Sequence, residues 1–81
     1  MNGLIVIAAN EDEIAKFKRH TEDAKWLMKN YDNIRTQYGG EYVAVLNQQI
    51  IDDDGDLIKL KKRYPSVVIQ YVYKEKPHLI L

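Results

Sequence analysis

Between Glu11 and Tyr38, apolar or bulky residues recur at Ile14, Phe17, Ala24, Leu27, Met28, Tyr31, Ile34 and Tyr38. Spacings of three, four and seven place them on one helical face, and nothing else in the chain limits the fold so tightly. At about 1.5 Å per residue, a helix over residues 11–38 would span roughly 42 Å. A compact domain of 81 residues has a radius of gyration of only about 12 Å, so the helix is longer than its own domain. Two outcomes fit. Thr21-Glu22-Asp23 reads as a fresh N-cap followed by acids in a first turn, which would break the helix there. Otherwise the first half projects and needs a partner to cover Ile14 and Phe17.

The flanking residues punctuate this helix. Asn10 with Glu13 three residues later has the spacing of a capping box, and Gly39-Gly40 supplies a left-handed end. Leu4-Ile5-Val6-Ile7 is apolar on both parities and too short for a helix, the pattern of a strand covered on both faces. After the glycines, Glu41–Leu46 and Gln49–Asp52 are two β-rich runs around the polar pair Asn47-Gln48, which predicts a hairpin without the ideal Asn-Gly turn. Asp54-Gly55-Asp56 reads as a turn with a cap. Leu57, Ile58, Leu60 and Tyr64 then form the buried side of a short second helix, about 55–64, that Pro65 stops. Val67–Tyr73 alternates as a strand, and His78-Leu79-Ile80-Leu81 closes the sequence as an apolar strand.

The expected fold is α+β, in the order β-α-β-β-α-β, with a small and mostly antiparallel sheet. At 81 residues it is one domain: strand and long helix over 3–38, hairpin, helix and strand over 41–74, and a last strand at 78–81. No apolar run reaches the roughly 18–20 residues of a spanning helix. Leu4–Ala9 has no basic residue before it and Glu11, Asp12 and Glu13 after it, unlike a signal peptide, so a cytoplasmic location is expected. The absence of cysteine removes disulfides, thiolate metal sites and cysteine nucleophiles together.

Several of these residues carry a resemblance. Trp26, Asn30-Tyr31, Tyr38, Tyr42-Val43-Ala44-Val45, Ile50-Ile51, Asp56-Leu57 and the late Val-Ile-Gln-Tyr-Val run resemble a small, largely archaeal domain family of unknown function. Its pattern is a tryptophan-bearing helix, a Tyr/Trp-Val-Ala hairpin, a short helix and a closing strand. The match covers about residues 24–73. It departs at Gln48, where glycine is common, and in a short second helix and following loop. The resemblance implies the fold, and it brings no catalytic residue with it.

Candidate sites are few. Asp52-Asp53-Asp54-Gly55-Asp56 alternates oxygens like a calcium loop, yet the glycine comes fourth and Arg63 holds the twelfth place, so no metal site is expected. Lys59, Lys62 and Arg63, with Lys61, make the one dense basic run. They are the candidate nucleic-acid contacts, although twelve basic residues are balanced by twelve acidic ones. His20 and His78 each lack a second ligand at helical spacing, and Ser66, the sole serine, has no nucleophile-elbow context. No carboxylate sits on an apolar stretch that would tune it for acid–base work. Neither catalysis nor a cofactor is expected. Six tyrosines, an overlong amphipathic helix and apolar ends point to a protein-interaction or self-association module, a homodimer being one form. Its contact residues would be Leu4, Ile7, Ile14, Phe17, Leu79 and Leu81. The alternatives are a nucleic-acid accessory protein and a small-ligand domain with a pocket near Trp26.

Overall fold

The computed structural model describes residues 11–75. In chain order these form α1 (Glu11–Lys29), α2 (Tyr31–Tyr38), β1 (Tyr42–Val45), β2 (Ile50–Asp54), α3 (Leu57–Arg63) and β3 (Val68–Tyr71). The class is α+β with a three-stranded antiparallel sheet. Over the described residues the order is α-α-β-β-α-β, so the single long helix expected over 11–38 in the order β-α-β-β-α-β is corrected to two helices. The strands expected at Leu4–Ile7 and at 78–81 lie outside the described residues.

The long helix divides, but not at Thr21. Thr21 sits inside α1 with its hydroxyl donating to the Phe17 carbonyl at 3.0 Å, the back-bonding a mid-helix threonine makes. The division falls at Asn30, whose backbone and side-chain nitrogens both donate to the Trp26 carbonyl, at 3.0 and 2.9 Å. That amide adds a second donor where the helix ladder has one, and Asn30 sits at φ −106°, ψ 13°. Tyr31–Tyr38 then resumes as a separate helix. Gly39 N–H closes it onto the Arg35 carbonyl, and Gly40 turns the chain at φ +90° with the Lys74 side chain against it.

The sheet order is β2-β1-β3, so β1 is central. Val43, Ala44 and Val45 are all fully buried, which an alternating strand achieves only when both faces are covered. On one face Val43, Val45 and Val72 pack with Leu27 of α1 and Ile34 of α2, flanked by Trp26, Tyr31, Tyr38, Ile50 and Val68. The other face carries α3 with its buried Leu60. There Tyr42 and Tyr71, directly opposite across β1 and β3, stack edge to face at 4.9 Å.

A bulge reconciles β2 with these two faces. Val45 pairs with Ile50 but Ala44 pairs with Asp52, which leaves Ile51 extra. In a regular strand Ile50 and Asp52, two residues apart, would share a face. With the extra residue, Ile50 joins the α1–α2 core, while Asp52 and Asp54 turn toward α3.

Candidate interaction surfaces

The apolar face read along α1 is too broad to be buried at once, and it splits. Leu27 goes inward at 2% exposure, whereas Ile14, Phe17 and Met28 stay 46%, 71% and 69% exposed, and Ala24 is exposed too. The inward face also takes Asp23, which is 1% exposed. Its carboxylate accepts the backbone N–H groups of Asn47 and Gln48 at 3.2 and 2.8 Å. Both turn residues have positive φ, 52° and 59°, as a two-residue type I′ hairpin requires. Leu46 and Gln49 exchange both backbone hydrogen bonds around it. Asp23 is therefore a clamp between α1 and the hairpin, not the first-turn acid of a new helix. His20 makes a second tie, its Nε2 lying 2.6 Å from the Ser66 carbonyl.

Of the six expected contact residues, Ile14 and Phe17 are exposed on the outward side of α1, and Leu4, Ile7, Leu79 and Leu81 lie outside the described residues. The apolar residues of α3 need a correction. Only Leu60 is buried, while Leu57 and Ile58 are 42% and 66% exposed. At about 100° per residue, Leu57, Leu60 and Tyr64 fall within roughly 60° of one another, but Ile58 stands well off that face. Leu57 and Ile58 instead line an open groove of about 600 Å³ with Lys61, Lys62, Pro65 and Ile69.

The basic run does not act as a unit. Arg63 donates from Nε to Asp52 at 3.1 Å and from Nη1 to Asp54 at 3.2 Å, bridging two carboxylates on the α3 side of β2. Lys59 and Lys62 remain exposed. The acidic turn is likewise engaged. Asp54 accepts the Asp56 N–H, and Asp56 caps α3 by accepting from Ile58 and Lys59 at 2.9 and 3.2 Å. Asp52 is held below the ordinary aspartate range by the Asp53 N–H first, then by the Tyr64 hydroxyl and Arg63, against the cost of burial. Asp54 is lowered by the Asp56 N–H and then by Arg63, again against burial. Glu41 is pushed up, chiefly by a hydrogen bond shared with the Asp53 carboxyl and then by burial. Among the described residues, no three His, Cys, Asp or Glu side chains come together as a metal site.

Trp26 stands between two shallow clefts. One of about 320 Å³ includes Asn33, Gln37 and Tyr38, and one of about 390 Å³ includes Glu22, Lys25 and Gln48. Sequence reasoning missed Asp23 and the outward position of Ile58. The signal for Asp23 was its spacing of four from Leu27, which puts both on one side of the helix.

No family model, curated protein or solved structure matches this chain. Among the described residues, no helix is long and apolar enough to cross a membrane.

Proposed function

We propose that this protein is a non-catalytic interaction module that docks through the outward side of α1. One observation carries the reading: Phe17 is 71% exposed on a helix whose other side is anchored by Leu27 and Asp23. A large aromatic exposed to water on a helix is an anchor of the kind that interfaces bury. Ile14, 46% exposed, lies one turn away and extends the patch. Leu4, Ile7, Leu79 and Leu81 belong to the same proposal as further contacts, as do a cytoplasmic setting and the likeness to the small archaeal family. Phe17→Asp tests it. The substitution should leave the circular dichroism spectrum intact and abolish association. A folded variant that keeps the wild-type mass and partner capture would overturn the reading.

Nucleic-acid contact through Lys59, Lys62 and Arg63 is the weaker alternative, because Arg63 already serves Asp52 and Asp54. Retention on a nucleic-acid column at low salt would favour it, and charge reversal at Lys59 and Lys62 should then release the protein.

A further inference from the structure

The exposed apolar residues of α1 are not scattered. Ile14, Phe17, Thr21, Ala24 and Met28 follow the spacing three, four, three, four, the repeat of a helix seam that meets another helix. At about 100° per residue they lie within roughly 80° of one another, and their centre is roughly 120° from the side that buries Asp23 and Leu27. Ile14, Phe17, Ala24 and Met28 are exposed and Thr21 is half-buried, so the seam is open along α1. Nothing among the described residues of its own chain covers Phe17 or Met28, which keep 71% and 69% of their exposure.

The charges beside the seam select what covers it. Glu11, Lys18, Glu22 and Lys29, all exposed, occupy one edge within about 40°. In a parallel two-fold pair this edge would face the other edge of the seam, next to the side that buries Asp23 and Leu27, and its four charges would not meet one another. In an antiparallel pair turned about a two-fold axis near His20 and Thr21, Glu11 meets Lys29 of the second copy and Lys18 meets Glu22. These four charges then each face an opposite, and Lys25, nearer the seam, falls beside Ala15. The same alignment sets the large Phe17 against the small Ala24, and Ile14 against Met28. A surface that complements itself under a two-fold rotation is the requirement for an isologous dimer.

We infer that a second copy of this chain covers α1, in an antiparallel two-fold pairing along Ile14, Phe17, Thr21, Ala24 and Met28, edged by Glu11–Lys29 and Lys18–Glu22. This rests on the reading of α1 as a docking surface and specifies its partner. Glu13 is not needed for it.

The test is a charge exchange followed by sedimentation equilibrium of the full chain. Lys18→Glu alone sets two glutamate pairs against each other, and Glu22→Lys alone sets two lysine pairs. Each should weaken the dimer about tenfold. The double variant should return to the wild-type dissociation constant, and a one-to-one mixture of the single variants should form a heterodimer. Because the chain has no cysteine, Thr21→Cys supplies a second measurement. It should cross-link at the two-fold on mild oxidation, whereas Ile14→Cys should not. If Phe17→Asp breaks a dimer that the charge variants leave unchanged, docking through α1 survives and the antiparallel pairing is wrong. Cross-linking through Ile14→Cys would also overturn it, and a wild-type chain that is monomeric throughout would end the second-copy assignment.

Discussion

Asp23 on α1 holds its Oδ1 2.8 Å from the backbone nitrogen of Gln48, 25 residues away at the tip of the hairpin. Its Oδ2 takes the neighbouring Asn47 N–H at 3.2 Å, so one buried carboxylate fixes both turn residues and the roll of α1. That roll decides which side of α1 meets water. Asp23 and Leu27 inward leaves Ile14, Phe17, Ala24 and Met28 outward.

Asp23→Ala should therefore destabilise the domain by about 2 kcal/mol, since hydrogen bonds to a charged acceptor are lost at a buried position. Urea unfolding followed by Trp26 fluorescence would measure it. Asp23→Asn, with one acceptor oxygen in place of two, should fall between wild type and alanine.

The turn itself predicts a stabilising change. Gln48 occupies φ 59°, where a side chain costs on the order of 1 kcal/mol that glycine avoids. Glycine returns several tenths of that as extra freedom in the unfolded chain, so Gln48→Gly should gain about 0.5 kcal/mol net. The same change at Asn47 should gain less, because asparagine tolerates the left-handed region. Paired thermal melts would rank the two.

Packing and docking should separate cleanly. Leu27→Ala opens the core and should cost about 3 kcal/mol. Phe17→Ser on the same helix should stay within about 0.5 kcal/mol of wild type by denaturant unfolding at concentrations where the chain is monomeric. A large loss of monomer stability at Phe17 would place that ring in the core.

Acid sensitivity has a defined sign. Asp52 and Asp54 are lowered from 3.8, so their stabilisation is complete above that pH and is lost as the pH falls through their lower folded values. Glu41 is raised from 4.5, so its contribution is present below that pH and is lost as the pH rises through its higher folded value. Glu41→Gln should consequently stabilise the protein at neutral pH, with the gain disappearing below pH 4.5. Arg63→Met should shrink the loss below pH 3.8 without removing it, because the Asp53 and Asp56 amides still hold the two aspartates. Denaturation curves from pH 7 to 3 would show both effects.

Local signals in the sequence were read well. Gly39-Gly40 ends the helical region, Asp56 caps α3, and Tyr42–Val45 pairs with Ile50–Asp54 around Asn47-Gln48 as the alternation implied. Reading failed where a tertiary contact outweighed local preference. Thr21 resembled a cap, but Asp23, two residues on, is drawn inward by two distant amides, which keeps that stretch helical. The break at Asn30 depends on one amide finding the Trp26 carbonyl, which no periodicity reveals. For the candidate surface, Ile14 and Phe17 were legible because their helix outran the expected core. Met28 and Ala24 were not, because hydrophobicity alone does not say which half of a broad apolar face turns inward. The bulge at Ile51 was hidden for a related reason: a single extra residue inverts every later side chain of β2.

The most direct measurement is absolute mass by light scattering over a tenfold dilution series of the wild-type chain, with Phe17→Asp alongside. The wild-type mass should lie near twice 9.5 kDa at high concentration and decline on dilution, and the variant should stay at 9.5 kDa throughout. A wild-type mass of 9.5 kDa at every concentration, indistinguishable from the variant, would contradict self-association through α1.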